Sequence, residues 1–227
     1  MTGTLINVGT VVAGTLAGLA LKERMPEKTS RTVVQGIGIF TVFIGISMAL
    51  ETRSVLVVLF SLVLGGVLGS ILDIERWLER TAARLEARFA RNGLGVARGF
   101  IAASLLFCVG PMAVLGSLED GLSGNHRILV TKAMMDGFCS IAFGATLGIG
   151  VVLSAVTILV YQGGLTIGAS AVRGLLTDAA VREMTATGGL LVMGIGIDML
   201  GLRKIHVGNM LPAIVIAAAI ARVLLRG

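Results

Sequence analysis

Charge is what this sequence has least of. Only 14% of its 227 residues are Asp, Glu, Lys or Arg, against about 25% in soluble domains. Hydrophobic residues make up 55%, and the mean hydropathy is +0.94. A soluble fold of this size has no means of hiding so much apolar side chain behind so few charges, whereas a bilayer accepts apolar surface all round a helix. Proline is rare, at three residues, which argues against a disordered Pro/Gly-rich chain. The two cysteines, Cys108 and Cys139, lie inside apolar segments and form no CxxC pair, so no disulfide framework is expected. There is no HExxH, no GxSxG and no Walker loop, and the two histidines, His126 and His206, have no ligand-spaced partner. The chain therefore reads as a non-enzyme with no metal and no cofactor, and not as an ATP-driven pump. No basic region precedes the first apolar run, so that run reads as a retained transmembrane helix and not as a cleaved signal peptide.

Glycine is abundant, at 32 residues. It weakens soluble helices by about 1 kcal/mol each, but in membranes small residues let helix backbones approach closely. The spacings Gly14/Gly18, Gly65/Gly69, Gly144/Gly148 and Gly164/Gly168 suit such packing, within the chain or in a homo-oligomer. The formal net charge of +6 comes mainly from cations between apolar segments, which is the pattern of cytoplasmic loops and not of a nucleic-acid surface.

A spanning helix needs about 20 mostly apolar residues. Leu5–Leu21, Thr32–Leu50, Ser54–Leu72, Gly188–Leu200 and Met210–Leu225 each read as one span. Gly99–Leu118 is interrupted at Gly110-Pro111 and reads as either a kinked span or a re-entrant broken helix, because proline removes a backbone donor and clashes with the preceding turn. Residues 133–172 suit two short helices, divided either at Gly144, Gly148 and Gly150 or at Tyr161-Gln162-Gly163-Gly164. Polar loops are expected at Glu119–Lys132 and Arg173–Glu183. Residues 74–91 carry Arg76, Arg80, Arg84 and Arg88 every fourth position, with Trp77 among the apolar residues. This stretch predicts an amphipathic helix in the membrane interface. The fold class is thus an all-α polytopic integral membrane protein, a bundle of seven or eight transmembrane helices forming one domain over residues 1–227. Placing Lys22, Arg24, Lys28, Arg31, the 76–98 stretch, Arg203 and Lys204 on the cytoplasmic side favours eight crossings. Gly36–Leu50 (GIGIFTVFIGISMAL) and Gly188–Leu200 (GGLLVMGIGIDML) are weakly alike, which raises an inverted-topology repeat with halves 5–73 and 134–226.

Ionisable residues inside a membrane cost about 2.5–3.5 kcal/mol at a helix centre, and they are functional candidates by default. Asp136 and Asp198 are the two that stand out. Their structural alternative is reaching interfacial water near the segment ends, or pairing there with Lys132, and with Arg203 or Lys204. Gln162, Asn7, Asn209 and Ser140 offer uncharged oxygens at membrane depth for an ion or solute. The sharpest local feature is Gly110-Pro111 with Ser117 shortly after it, where a broken helix frees backbone groups that need a cavity, water or an ion.

At GPMAVLGSLEDGL, KAMMDGFCSIAF, YQGGLT, GGLLVMGIGIDML and NMLPA the chain resembles the YqgA/YdfK family of bacterial inner-membrane proteins of unknown function. The resemblance runs over nearly the whole chain. It implies a multi-pass protein of the bacterial inner, or plasma, membrane, with a sodium channel or pump among the roles suggested for the family. In that family the position of Asp198 often carries asparagine, which keeps an oxygen ligand but no charge. The expected function is transport of a small ion, sodium or a proton foremost, or of a small solute. The alternative is a non-transporting scaffold or regulatory subunit that associates through its glycine-rich helices. The expected partners are the lipid bilayer, a small ion and further copies of the chain.

Overall fold

The computed structural model describes residues 1–24, 26–77, 80, 96–172 and 177–224. Among these residues every regular element is helical: α1 (Thr2–Arg24), α2 (Glu27–Ala49), α3 (Val55–Ile71), α4 (Val96–Cys108), α5 (Pro111–Ser123), α6 (Arg127–Leu147), α7 (Gly150–Ile167), a short α8 (Ala169–Val172), α9 (Asp178–Met199), a 3-10 turn (Val207–Met210) and α10 (Pro212–Leu224).

Among the described residues five stretches are long and apolar enough to cross a bilayer: Thr2–Lys22, Arg31–Ala49, Arg127–Leu147, Gly150–Ile167 and Val207–Leu224. The pair Val96–Cys108 and Met112–Ser123, bent by 59°, is a sixth if taken as one broken span. The seven or eight spans expected from the sequence therefore reduce to five or six by length and composition. The difference has two sources. α3 has 17 residues, about 26 Å at 1.5 Å per residue, slightly less than a bilayer's apolar core. α9 is long enough but carries Asp178, Arg182, Glu183 and Asp198.

Two expected loops are largely helix. α6 begins at Arg127, inside the stretch read as a loop to Lys132, and α9 begins at Asp178, inside the stretch read as a loop to Glu183. Polar residues are welcome in a first helical turn, where backbone N–H groups lack partners. At α9 the Thr177 side chain accepts a hydrogen bond from the Ala180 backbone N–H at 3.2 Å, with Asp178 beside it favouring the positive end of the helix dipole. Residues 133–172 divide at the first of the two expected places: Gly148 has φ +80° and ψ −158°, a conformation that disfavours any side chain. Gly110-Pro111 also breaks its segment as expected, since Pro111 is the first residue of α5, where its missing N–H costs nothing. The described part of the 74–91 stretch is helical at residues 74–77 and at residue 80; the remainder, with Arg84 and Arg88, lies outside the described residues.

On α3, Val55, Leu56, Leu59, Phe60, Val63 and Ile71 are each more than half exposed. In water such a strip would be an aggregation surface; lipid tails accept it without cost.

The chain divides into two compact units that alternate along the sequence, Met1–Ile37, Thr81–Cys108 and Met112–Val172 in the first, and Gly38–Arg80, Val109–Pro111 and Arg173–Gly227 in the second. In the first unit, α1 and α6 meet along a glycine seam. A Cβ added at Gly14 would collide with the Gly137 carbonyl, one at Gly18 with the Ile141 carbonyl, and one at Gly144 would lie 2.6 Å from the Thr15 carbonyl oxygen. Contacts advance in the same direction on both helices, from Gly3 with Leu129 to Gly18 with Ala145, so α1 and α6 run parallel. In the second unit, Gly38 of α2 faces Gly196 of α9, and Gly45 faces Gly189. The order reverses, so this pair is antiparallel. Gly65 and Gly69 of α3 pack in the same way on Ala213 and Asn209. Of the small-residue pairs read from the sequence, Gly14/Gly18 and Gly65/Gly69 are thus engaged within the chain, while Gly164 has open space where a Cβ would stand.

Candidate functional site

α6 carries Lys132, Asp136 and Ser140 at successive four-residue steps, which places them in one stripe along the helix. In the first unit this stripe faces inward: Lys132 is 6%, Asp136 6% and Ser140 0% exposed. The Lys132 ammonium pairs with the Asp136 carboxylate. Asn7 of α1 donates from Nδ2 to Asp136 Oδ2 at 2.9 Å, and from the same nitrogen to Gln162 Oε1 of α7 at 3.1 Å. The Phe107 ring of α4 lies with its centroid 6.0 Å from Lys132 Nζ, at the outer reach of a cation–π contact. Four helices therefore converge on one buried pair of opposite charges.

The electrostatics fix the amide orientations. An ionised carboxylate only accepts hydrogen bonds, so Asn7 must turn its NH2 toward Asp136. The second N–H of that group then requires the oxygen of Gln162, not its nitrogen. This leaves Asn7 Oδ1 and Gln162 Nε2 buried with no protein partner, and Thr4 Oγ1 and Thr166 Oγ1 share that condition. Thr4 lies three residues before Asn7, and Thr166 four residues after Gln162, so each is one turn along the same helix face. An unmet buried polar group costs about 1–3 kcal/mol, and these four lie in the first unit, on the faces of α1 and α7 that carry Asn7 and Gln162.

The remaining residues selected from the sequence have other settings. Ser140 donates to the Asp136 backbone oxygen at 2.7 Å, and Ser117 to that of Ala113 at 2.6 Å, so both hydroxyls are committed within their own helices. Asp198, Asn209, Gly110 and Pro111 belong to the second unit. Asp198 is half-buried in the last turn of α9, just before Gly201 (φ +72°), whose N–H bonds the Asp198 carbonyl at 3.0 Å as the helix ends. Asn209 Oδ1 accepts from the Glu75 backbone N–H at 2.9 Å. Gly110 has open space around it. Arg76 is exposed and paired with Asp73 at 2.8 Å; Trp77 is 62% exposed, and Arg80 is exposed. Among the described residues no group of three or more His, Cys, Asp or Glu side chains is placed to hold a metal ion.

Sequence reasoning undervalued two residues. Lys132 appeared only as an interfacial partner for Asp136, although its i,i+4 spacing from Asp136 was the signal for a pair held on one helix face. Glu183 was assigned to a loop. It is fully buried in the second unit, where Oε1 accepts from the Arg53 and Ser54 backbone N–H groups at 2.9 and 3.2 Å. Its Oε2 accepts from Thr52 Oγ1 at 2.6 Å. Its carboxylate thus satisfies amide donors just ahead of α3 and sits at the positive end of that helix. No sequence rule reaches across 129 residues to find such a cap. Glu75 Oε1, also in the second unit, accepts from His206 Nδ1 at 2.9 Å in the tautomer that protonates that nitrogen.

Long apolar helices, outward-facing strips of large aliphatic side chains and a polar cluster turned inward define a multi-pass membrane protein. The family described as Protein of unknown function (DUF554) matches residues 2–222, and the chain belongs to it. Uncharacterized membrane protein YdfK of Bacillus subtilis (strain 168) is 29% identical over 220 residues, covering 95% of this chain and 93% of the relative. Uncharacterized protein YqgA of Escherichia coli (strain K12) is 27% identical over 220 residues, covering 95% of this chain and 94% of the relative. The resemblance read from the sequence motifs therefore holds along the chain. No solved structure matches it.

Proposed function

We propose that this protein is a transporter or channel for a small ion or small polar solute, with Asp136, Asn7 and Gln162 as its binding station and Lys132 as the resident countercharge. The observation that carries this reading is the buried Lys132–Asp136 pair on an apolar span, bonded to amides from α1 and α7. Buried ion pairs are poor devices for stability, since desolvation offsets most of their attraction. Their retention in a membrane, beside amide atoms with unmet valences, is the usual mark of a substrate or proton pathway. A cation or proton reaching Asp136 would compete with the Lys132 ammonium, which couples occupancy of the site to the position of one charged side chain.

The eight-crossing topology and the repeat belong to the same proposal. Parallel α1 and α6 have three connecting stretches between them, α2, α3 and the broken α4–α5, each of which then crosses once. The facing of Gly38 with Gly196 and of Gly45 with Gly189 supports the repeat, because the matched segments put Gly38 in the place of Gly189 and Gly45 in the place of Gly196. A homo-oligomer would have to use faces other than the seams closed inside the chain.

The test is flux through purified protein in liposomes, with sodium and proton gradients read by isotope and by a pH-sensitive dye. Flux that vanishes in Asp136→Asn is expected. No flux of sodium, protons or small uncharged solutes through folded protein would overturn the transport reading in favour of the non-transporting module.

A further inference from the structure

The four unmet polar groups have an order along the helices. α1 and α7 meet at Asn7 and Gln162, and Met1 lies 3.4 Å from the position a Gly163 Cβ would take. Moving from Asn7 toward the start of α1 reaches Thr4. Moving from Gln162 toward the end of α7 reaches Thr166. Both steps head for the same end of the first unit, because the end of α7 lies beside the start of α1. That end is polar as well: Asp120 of α5 pairs with the Met1 amino group at 2.8 Å. In the opposite direction the character changes within about two turns. Gly14, Gly18 and Gly144 bring α1 and α6 into backbone contact, and Val11 and Ala145 are buried among them. The hydroxyls of Thr15 and Ser140 there are turned back onto backbone carbonyls of their own helices.

We infer that Thr4, Thr166, Asn7 and Gln162 line a blind polar recess that takes water or a small neutral hydrogen-bonding solute, opens at the end of the first unit where α1 starts, and stops at the Lys132–Asp136 pair above the α1–α6 glycine seam. The chemistry of the lining selects the occupant. It presents one amide acceptor (Asn7 Oδ1), one amide donor (Gln162 Nε2) and two hydroxyls that do either, while the single carboxylate is already neutralised by Lys132. A bare cation would find its charge opposed there by the ammonium. A molecule with both a donor and an acceptor satisfies all four groups. This inference rests on the proposed assignment of Asp136 as the station and takes the small-solute branch of that proposal over the cation branch, but it concerns access, which is measured without any flux.

The experiment labels single cysteines placed at Thr4, Thr166 and Thr15 in a chain carrying Cys108→Ser and Cys139→Ser, in sealed vesicles of known orientation, with a small membrane-impermeant methanethiosulfonate. Thr4→Cys and Thr166→Cys are expected to react at least ten-fold faster than Thr15→Cys, and only from the side on which α1 starts. Equal rates at all three positions, or reaction from the opposite side, would overturn the recess. Glycerol that slows labelling at Thr166→Cys identifies a neutral solute as the occupant; labelling indifferent to glycerol identifies water. A second measurement covers a cysteine-free chain that fails to fold. Thr4→Val and Thr166→Val in the natural background remove the hydroxyls at nearly constant shape, so a hydrated recess lowers the unfolding midpoint. A midpoint that stays level or rises marks a dry core and overturns the inference, whatever the flux assay reports.

Discussion

Lys132 and Asp136 stand one helical turn apart on α6 and close an ion pair with each other, and 8% and 9% of their side chains remain exposed. In that setting neither charge is tolerable alone. Removing one partner of a buried pair typically costs about 3–5 kcal/mol, whereas replacing both by apolar groups of similar size is often neutral. Lys132→Met is therefore expected to lower the unfolding midpoint sharply in detergent or nanodiscs, and the double variant Lys132→Met with Asp136→Leu to restore most of it. If the pair is also the transport station, the double variant stays folded but carries no flux. A restored fold with full flux would separate the pair from function.

Glu183 should behave as a structural cap. Glu183→Ala removes the acceptor for two backbone N–H groups and one hydroxyl, and is expected to destabilise the second unit by about 2–4 kcal/mol, given about 1–3 kcal/mol for each group left unmet. Thr52→Val removes one of the three donors and the second acceptor of the Ser54 N–H (3.1 Å), which Glu183 still satisfies, and should cost about 1 kcal/mol. Denaturant titration of the purified protein would check both. An equal loss in the two variants would count against the cap.

The glycine seams predict a contrast between positions. Gly18→Ala and Gly45→Ala drive a methyl group into a facing backbone, at Ile141 and at Met193 respectively, and should cost about 1–3 kcal/mol, as overpacking usually does. Gly36→Ala and Gly164→Ala add a methyl where nothing lies within 4 Å, so their midpoints should hold or rise slightly. Thermal unfolding of the four variants in one lipid mixture decides it.

Gly148 should tolerate no other residue well. Its φ of +80° with ψ −158° lies in a region essentially restricted to glycine, and Gly148→Ala is expected to cost about 1–3 kcal/mol and to loosen the turn between α6 and α7. Amide exchange at Val151 and Val152, whose N–H groups bond Gly148 and Ile149, would report the loosening.

Eight crossings predict that cysteines introduced at Lys28 and Arg203 are labelled from the same side of the membrane. Seven crossings put them on opposite sides. Impermeant maleimide applied to whole and to opened vesicles distinguishes the two.

Composition by itself determined that this chain lives in a bilayer, because no water-soluble packing of so many apolar and so few charged side chains exists. Local rules also found the interruption at Gly110-Pro111 and offered Gly148 as one of two places for the division, since both follow from the backbone limits of single residues; the structure chose between the two. Hydropathy misjudged where α6 and α9 begin, because the polar residues of a first turn look like loop to a rule that counts only apolarity. The sequence also singled out Asp136, Asn7 and Gln162, each as a lone polar residue at membrane depth. Only the tertiary structure decided that these three share one site while Asp198, Asn209 and Gly110-Pro111 fall in the other unit. The reason is that α1 and α6 are brought together by glycine contacts, and α1 and α7 by the Asn7–Gln162 bond, between residues more than a hundred positions apart, and no periodicity within one helix encodes which helix it will meet. The same contacts turned Lys132 from an interfacial cation into the buried partner of Asp136, while packing within the second unit made Glu183 the cap of a helix that begins 128 residues before it.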